Sequence, residues 1–488
     1  MAGYATMDEL FKTELAQMAD EGAAVDRDAW LRLLEAAHGA PDEIEALYDE
    51  LAALPTDKKA EAREPNDLDA IRALRPDGPR RMGLPYGEGE LLERLHGAWL
   101  GRCCGCALGK PFESAPFFHV PGKSAPSSRG PSQRAACEAY LRAAGAWPLD
   151  FYLPGAAPAA ELAKEDLAAA GLRPDMFKAP GADGMIRLNC ERSHRENIKC
   201  METDDDIRYT LIGLLVAEKN GPAWTTADMG KTWLTHLTFM QVCTAETQAY
   251  INMVNTEGAR KGNGLKKADW LRIASWRNPY REWIGAQIRA DHFGYAAAGH
   301  PELAAEFAWR DARVSHVRNG IYGEMFIAAA IAAAFATNDT REIIRIGLSE
   351  IPGDCRLARA IRETVAEYDR RHDWAAAWDW FRFDSPWGAM DPVHTIPNAI
   401  VVVLGLLAGA GDFQRTIIQA VLGGFDTDCN GATAGSIIGA QFGAAGVPQK
   451  WSAPLHDTID TAMPAFGRIS IRALAERSLA IWRAANKP

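Results

Sequence analysis

The sequence predicts a compact all-α fold. From about residue 200 onward, apolar residues recur at helical spacing, short Gly or Pro breaks separate the stretches, and alternating strand patterns are scarce. The chain has 488 residues, of which 48% are hydrophobic and 24% charged, and this composition is ordinary for a protein with a full-sized core. The length allows roughly two to four domains, or one large domain with an appendage.

Residues 1–80 are predicted to form an N-terminal helical extension. Two stretches show helical periodicity, and Pro41, Pro55 and Pro65 punctuate the segment. No residue pattern typical of catalysis occurs there, so we interpret the segment as a packing or oligomerisation extension. The oligomeric state stays open.

The remaining residues, 81–488, are predicted to form the main domain. Within it, residues 114–186 are rich in Pro, Ala, Gly and Ser, which is typical of a loop-rich insertion. Long irregular segments of this kind often act as lids or binding loops.

Two ladders of glycines at every fourth position predict closely packed helices. Residues four apart share one face of a helix, and each interior glycine costs ~1 kcal/mol relative to alanine. We therefore expect each ladder to face another helix at very short range. A membrane-type glycine motif is the alternative, but polar residues interrupt both stretches and neither is long enough. The glycines are Gly97, Gly101, Gly105 and Gly109, and Gly431, Gly435, Gly439 and Gly443.

Two acidic runs, each at the start of an apolar helical stretch, are the main candidates for chemistry. The first is Thr203 to Asp206, and the second is Asp426 to Asp428. Capping of a helix N-terminus is the alternative interpretation of each run, because acids there interact favourably with the helix dipole. If the fold brings the runs together, they form a cluster of hard oxygen ligands suited to Mg²⁺ or Mn²⁺.

The composition argues against several functional classes. A formal net charge of −11 argues against general binding of nucleic acid. The longest apolar runs, residues 325–336 and 399–410, are shorter than the ~20 residues that span a bilayer. The first residues lack the pattern of a signal peptide, and nine cysteines suit reduced thiols, so we expect a cytoplasmic protein. No motif indicates a nucleotide cofactor.

The order of the motifs resembles that of the ADP-ribosylglycohydrolase family, which includes the dinitrogenase-reductase-activating glycohydrolases. The matching segments are residues 97–101, 105–113, 203–205 and 426–432, and the resemblance covers roughly residues 88–480. It implies a compact helical fold around a central cleft with two Mg²⁺ or Mn²⁺ ions. By motif match, the metal ligands would be Thr203, Asp204, Asp205, Asp426 and Asp428.

The resemblance also suggests which groups act in catalysis. Glu113 matches a family glutamate near the metals, although a solvated loop carboxylate is the alternative on position alone. Asp204 and Asp205 are further candidates for acid or base roles at the anomeric carbon. The turn at Gly320 and Gly323 resembles the family's loop that faces ribose and phosphate. Two further candidates for polar pocket residues, for which a buried core histidine is the alternative, are His316 and His394.

Three residues depart from the family pattern. Cys429 stands where a threonine ligand is usual, Cys106 replaces an aspartate, and Asp206 replaces a threonine. A thiol is a poor ligand for Mg²⁺. Either Cys429 is only a small residue at a helix start, with Asn430 or water completing the coordination, or the metal preference or the substrate has changed.

The predicted function is therefore a metal-dependent glycoside hydrolase that cleaves an N- or O-glycosidic bond to ribose. The substrate would be an ADP-ribosylated protein or small molecule, or a related riboside. The alternative is a family member that binds ADP-ribose or a nucleoside without turnover.

Overall fold

The computed structural model of the chain describes residues 5–55, 57–118, 132–162, 167–168, 170–259 and 264–486. Helices dominate these residues, which confirms the predicted all-α class. The strands among them form two short two-stranded antiparallel sheets, with Ala157 opposite Ile186 in one and Ile459 opposite Ile469 in the other. The strands are β1 (Ala156–Pro158), β2 (Met185–Arg187), β3 (Thr458–Asp460) and β4 (Arg468–Ser470).

The helices fall into three groups along the chain. The first group is α1 (Met7–Asp20), α2 (Arg27–Ala36), α3 (Pro41–Ala52), α4 (Lys58–Arg63) and α5 (Leu68–Leu74). The second is α6 (Glu88–Gly109), α7 (Gln133–Ala143), α8 (Asp205–Asn220), α9 (Thr226–His236), α10 (Thr244–Val254), α11 (Trp270–Ser275), α12 (Asp291–Ala296) and α13 (Pro301–Ala312). The third is α14 (Asn319–Ala334), α15 (Thr340–Leu348), α16 (Arg356–Arg371), α17 (Trp374–Asp379), α18 (Thr395–Gly409), α19 (Phe413–Leu422), α20 (Thr427–Phe442), α21 (Gln449–Ser452) and α22 (Ile471–Ala485).

Two apolar helices, α14 and α18, lie in the middle of the core. Every residue of both helices is buried, so their high apolar content reflects burial on all sides. No described helix combines the length and apolarity needed to cross a bilayer.

Helices α6 and α20 pack antiparallel along the two glycine ladders. A Cβ on Gly101 would lie 2.0 Å from the carbonyl oxygen of Gly435, and one on Gly105 would lie 1.9 Å from that of Gly431. Since real Cβ atoms essentially never approach other heavy atoms within 3.0 Å, only glycine permits this contact. The close approach predicted from the spacing is confirmed, and the two ladders face each other. The antiparallel arrangement brings the end of α6 to the start of α20, where a Cβ on Gly109 would lie 2.1 Å from the carbonyl oxygen of Thr427.

The first three helices form a small core of their own. Apolar side chains such as Phe11 and Tyr48 are buried in it, and Ala245 and Tyr280 of the main domain complete it. Buried ion pairs also join the two parts, because Arg281 donates to Glu14 and to Glu21, each at 2.7 Å. The domain boundary at residue 80 stays a prediction.

The described part of the predicted insertion, residues 114–186, contains α7 and β1, and β2 pairs with β1 at its end. Its aromatic side chains pack at the end of α6, with ring centroids 4.3 Å apart for Phe112 and Phe117 and 5.7 Å apart for Phe117 and Tyr140. This part of the segment is therefore attached to the core beside the predicted site. Residues 119–131, 163–166 and 169 of the insertion lie outside the described residues.

Candidate active site

The first acidic run lies at the start of α8. Asp204 is the N-cap residue, and its Oδ1 accepts a hydrogen bond from the backbone N–H of Asp206 at 3.0 Å. The capping interpretation therefore holds for one acid of this run, Asp204. Asp205 and Asp206 follow in the first turn, where the positive end of the helix dipole favours negative charge.

Lys110, at the end of α6, binds this cap. Its Nζ donates to Asp204 Oδ2 at 2.7 Å and to the carbonyl oxygen of Thr203 at 2.6 Å. Burial raises the pKa of Asp204, but the adjacent ammonium more than offsets this effect and holds the pKa below its ordinary value. Asp204 is therefore ionised at neutral pH. The sequence reasoning did not single out Lys110, although a lysine at the end of an apolar, glycine-rich helix was an available signal.

The second acidic run lies at the start of α20. The side chain of Asn398, on α18, positions it, because its Oδ1 accepts from the backbone N–H of Asp426 at 3.0 Å and from Asn430 Nδ2 at 2.9 Å. Thr427 Oγ1 donates to the carbonyl oxygen of Gly109 at 2.9 Å. The start of α20 is thus held by both α18 and α6.

The structure brings the two acidic runs together at Asp428. Its carboxylate belongs to two groups of three potential ligand atoms, and within each group all atoms lie within 4.8 Å of one another. The first group adds Asp204 and Cys106, and the second adds Asp206 and Cys429. Asp428 is 2% exposed, and its Oδ1 has no hydrogen-bond partner among the described residues. An unpartnered buried carboxylate oxygen beside other acids fits a position for a cation.

The electrostatics of the cluster also indicate missing positive charge. Burial and the charge of Asp204 raise the pKa of Asp428 to about 7, and the same two causes raise that of Asp205 to about 6. Burial and Asp428 raise the pKa of Asp426 well above its ordinary range. Carboxylates in such an arrangement either bind protons or are neutralised by cations. Among the described residues, no Lys, Arg or His forms a salt bridge with these three acids.

Asp206 differs from its neighbours because a buried cation accompanies it. Arg102 Nη2 lies 3.3 Å from Asp206 Oδ1, and Arg102 Nη1 lies 2.6 Å from Asp291 Oδ2. Cys429 Sγ donates to Asp206 Oδ2 at 3.1 Å. Arg102 therefore shares its charge between two acids, and the sequence reasoning did not identify this role.

The other predicted ligands lie beside the cluster. Thr203 Oγ1 donates to the carbonyl oxygen of Thr461 at 3.0 Å and accepts from Arg208 Nη1 at 2.7 Å, which leaves one lone pair free. Asp426 is 6% exposed and directly precedes α20. Asp205 is half-buried. Their metal-binding roles stay predictions.

Glu113 is exposed and lies four residues after the end of α6. Partial desolvation raises its pKa well above the ordinary value, and the charges of Asp428 and Asp426 add to this effect. Solvent contact moderates the effect. Glu113 is thus a solvent-exposed carboxyl group that lies close enough to the buried acids for their charges to raise its pKa.

The remaining candidates are buried away from solvent. His394 Nδ1 accepts from the backbone N–H of Ile396 as the N-cap of α18, and His316 Nδ1 lies 2.8 Å from Ser315 Oγ. Both are fully buried, as the alternative of a core histidine predicts. Gly320 and Gly323 belong to the buried first turns of α14 rather than to an open loop, because Glu282 Oε1 accepts the N–H of Asn319 and holds the helix start inside the protein.

The fold and the site define a helical protein with a buried acidic cluster beside an exposed glutamate. The sequence profile of the ADP-ribosylglycohydrolases matches residues 88–487. The chain therefore belongs to the ADP-ribosylglycohydrolase family, and membership supports a glycohydrolase function.

One similar solved structure is titled "ADP-ribosylglycohydrolase-related protein complex". The two sequences are 17% identical, the match covers 81% of this chain and 99% of that chain, and the TM-score is 0.44. No curated protein matches the sequence.

Proposed function

We propose that this protein is a metal-dependent hydrolase that cleaves an N- or O-glycosidic bond to a ribose. The observation that carries the proposal is the meeting of the two acidic runs, in which Asp204 and Asp428 supply ligand atoms within 4.8 Å of each other. Helix capping explains only Asp204 and leaves a buried oxygen of Asp428 without a partner. A cation accounts for both acids.

The donor set suits divalent ions. Two such ions would neutralise the acids that lack a cationic partner, and carboxylate oxygens bind Mg²⁺ and Mn²⁺, the ions that the family resemblance implies. When bound, these ions lower the pKa of a coordinated water and polarise sugar oxygens. The residues proposed to hold them are Thr203, Asp204, Asp205, Asp426 and Asp428.

The protein's own groups would handle the protons. Glu113 is exposed, and partial desolvation together with the charges of Asp428 and Asp426 raises its pKa above the ordinary value, so this carboxyl group is the candidate to donate a proton to a departing aglycone. Asp204, which stays ionised beside Lys110, and Asp205 can accept a proton from an attacking water or orient that water. Cleavage would pass through a transition state with oxocarbenium character, which a nearby cluster of carboxylates stabilises.

Family membership supports a proposal for the substrate class. We propose an ADP-ribosylated protein side chain, an ADP-ribosylated small molecule or a related riboside. The attachment of the described insertion beside the end of α6 places extra protein next to Glu113, which favours recognition of the aglycone there.

The test is hydrolysis of a riboside panel by purified protein supplied with Mg²⁺, Mn²⁺ or Zn²⁺. The panel runs from ADP-ribosyl-arginine and ADP-ribosyl-serine peptides to simple ribosides, and mass spectrometry follows the release of ribose or ADP-ribose. Asp428→Asn keeps the shape of the side chain and should lower turnover by at least about 100-fold, since even outer-shell partners of metals contribute 10–100-fold. Asp150→Asn, at an exposed position of the same domain, is the matched control and should keep full activity.

Release of ribose or ADP-ribose that depends on metal and on Asp428 supports the proposal. The panel member that is hydrolysed fastest identifies the substrate class. If no panel member is cleaved but ADP-ribose binds in calorimetry, the binding-only alternative replaces it. Equal turnover by wild type and Asp428→Asn would refute the assignment of this cluster as the active site.

A further inference from the structure

All three residues that depart from the family pattern lie in the acidic cluster. Cys106 belongs to the group with Asp204 and Asp428, whereas Asp206 and Cys429 belong together to the other group with Asp428. Each group therefore contains one thiol and two carboxylates. The coincidence of three departures at one centre indicates a change in what the centre binds.

The geometry of both groups suits a small ion with mixed sulfur and oxygen ligands. For Zn²⁺, with a Zn–S distance of about 2.3 Å and a Zn–O distance of about 2.0 Å, tetrahedral ligands S and O are about 3.5 Å apart. The potential ligand atoms lie within 4.8 Å of one another, so closure by at most about 1.3 Å is needed. Rotation of an aspartate side chain supplies a movement of this size.

The ligand count points in the same direction. Three protein ligands with a fourth position open to water or substrate are typical of catalytic zinc, and zinc accepts Cys and Asp together. Mg²⁺ demands six oxygen ligands in a near-ideal octahedron, and a thiol in its ligand sphere replaces one of them with a poor donor. Asp428 belongs to both groups, and its buried Oδ1 has no hydrogen-bond partner among the described residues, so its carboxylate is available to an ion at either position.

We propose that this centre binds Zn²⁺, or another divalent ion that accepts thiolate ligands, in place of Mg²⁺. Cys106 and Cys429 would be thiolate ligands, one in each of the two groups, and Asp428 would belong to both groups. The proposal rests on the proposed metal-dependent function of the same site. Each thiol that coordinates an ion releases its proton to solvent, so one Zn–S bond forms for each S–H bond broken. No oxidant or reductant takes part.

When such ions are bound, the charges of the two ligand groups balance if Lys110, Arg102 and Asp291 are counted with them, whereas Asp205 and Asp426 lie outside this count. Lys110 pairs with Asp204, and Arg102 is shared between Asp206 and Asp291. Two thiolates add two negative charges to the acids, and two divalent ions add four positive ones. Cys429 Sγ lies 3.1 Å from Asp206 Oδ2. If Cys429 loses its proton, the thiolate and the carboxylate repel each other, and a bound cation would offset this repulsion.

The first experiment is Co²⁺ binding to chelator-treated full-length protein, followed by absorption. Cobalt substitutes for zinc and shows a thiolate-to-cobalt charge-transfer band only when sulfur is bound. We expect the band in wild type, a weaker band in Cys106→Ser and in Cys429→Thr, and an unchanged band in Cys104→Ser. Cys104 is the matched control, because it is fully buried on the same helix and belongs to neither group.

A second measurement is competition between Zn²⁺ and Mg²⁺ by equilibrium dialysis. Wild type should retain Zn²⁺ against excess Mg²⁺, and Cys429→Thr should weaken Zn²⁺ binding by about 10–100-fold. The threonine variant restores the family residue and changes little volume, so it guards against a Cys106 variant that does not fold.

The outcomes separate this inference from the proposed function. Cobalt bound without a charge-transfer band, or a band that neither variant weakens, overturns thiolate ligation at this centre, and riboside turnover with Mg²⁺ would then leave the hydrolase proposal intact. A thiolate band with no riboside turnover under any ion supports the inference and counts against the hydrolase. Absence of any bound ion overturns both.

Discussion

Replacing Gly101 with alanine should separate the two helices that assemble the candidate site. The new Cβ would lie 2.0 Å from the carbonyl oxygen of Gly435 and 2.7 Å from its carbon, and both atoms belong to backbone that no rotamer change can move. Because real Cβ contacts are essentially never shorter than 3.0 Å, α6 and α20 must part by at least 3.0 − 2.0 = 1.0 Å. Overpacking of this kind typically costs 1–3 kcal/mol and occasionally more. Alanine recovers ~1 kcal/mol through helix propensity.

We expect a net loss in the free energy of unfolding of about 2 kcal/mol, which takes the upper end of the overpacking range because the obstacle is backbone. The family match spans residues 88–487, and at about 2.1 cal/mol/K per residue the loss lowers Tm by about 2 °C. Differential scanning fluorimetry measures this shift, with Gly89→Ala as the control. Gly89 lies on the same helix, and a Cβ there meets nothing within 4 Å, so its variant should keep or raise Tm. A Tm for Gly101→Ala equal to that of Gly89→Ala would refute the close-contact argument.

Two further changes test the electrostatics. His292 is fully buried with neither ring nitrogen hydrogen-bonded to a described residue, and desolvation lowers its pKa from 6.5 to about 3, so the unfolded chain alone binds a proton between these pH values. The contribution of neutral His292 to the free energy of unfolding is therefore fully present above pH 6.5, and it falls by about 2 kcal/mol when the pH is lowered to 5. In His292→Phe, Tm should depend less on pH between pH 5 and 7 than it does in wild type. Arg281→Ala leaves Glu14 buried without its cation and Glu21 with only Arg318, at 3.7 Å. Removing one partner of a buried ion pair typically costs 3–5 kcal/mol, so limited proteolysis should release the first three helices faster than in wild type, and unchanged cleavage would contradict this.

The glycine ladders show how far a sequence pattern can lead. A repeat of four residues places Gly97 and its successors on one helical face, so close packing followed from the sequence alone. The identity of the partner did not follow, because any helix with small residues could have supplied it. The structure shows the two ladders against each other, and this pairing determines that the end of α6 meets the start of α20.

The buried cations of the site could not be predicted for a related reason. Arg102 lies within an apolar helix, and its meaning depends on Asp291, which is distant in sequence and becomes a partner only in the fold. A lone arginine in such a helix fits many roles until its partner is known. The acids were easier to identify, because several neighbouring carboxylates repel one another and need an explanation in any fold.

The turn at Gly320 resembles the family's loop that faces ribose and phosphate, but in the structure it lies in the buried first turn of α14. The N-terminus of α14 offers backbone N–H groups of the kind that bind anions. Here Glu282 supplies the anion from within the chain, and Asn319 and Arg356 donate to the same carboxylate. A motif match transfers the residues but not the neighbours that decide whether a ligand can reach them.

The pairing of Asp206 with Cys429 bears on whether the three residues that depart from the family pattern have a structural or a metal-binding role. As a structural pair, the thiol satisfies Asp206 Oδ2, and Arg102 satisfies Oδ1, so Asp206 needs nothing more. This arrangement leaves Asp428 Oδ1 buried and unpartnered, at a typical cost of ~1–3 kcal/mol, and offers no role for Cys106 beside the same carboxylate. An ion ligated by the thiols accounts for Asp428 and Cys106 together, and this is why the metal-binding interpretation explains more of the site than the structural one.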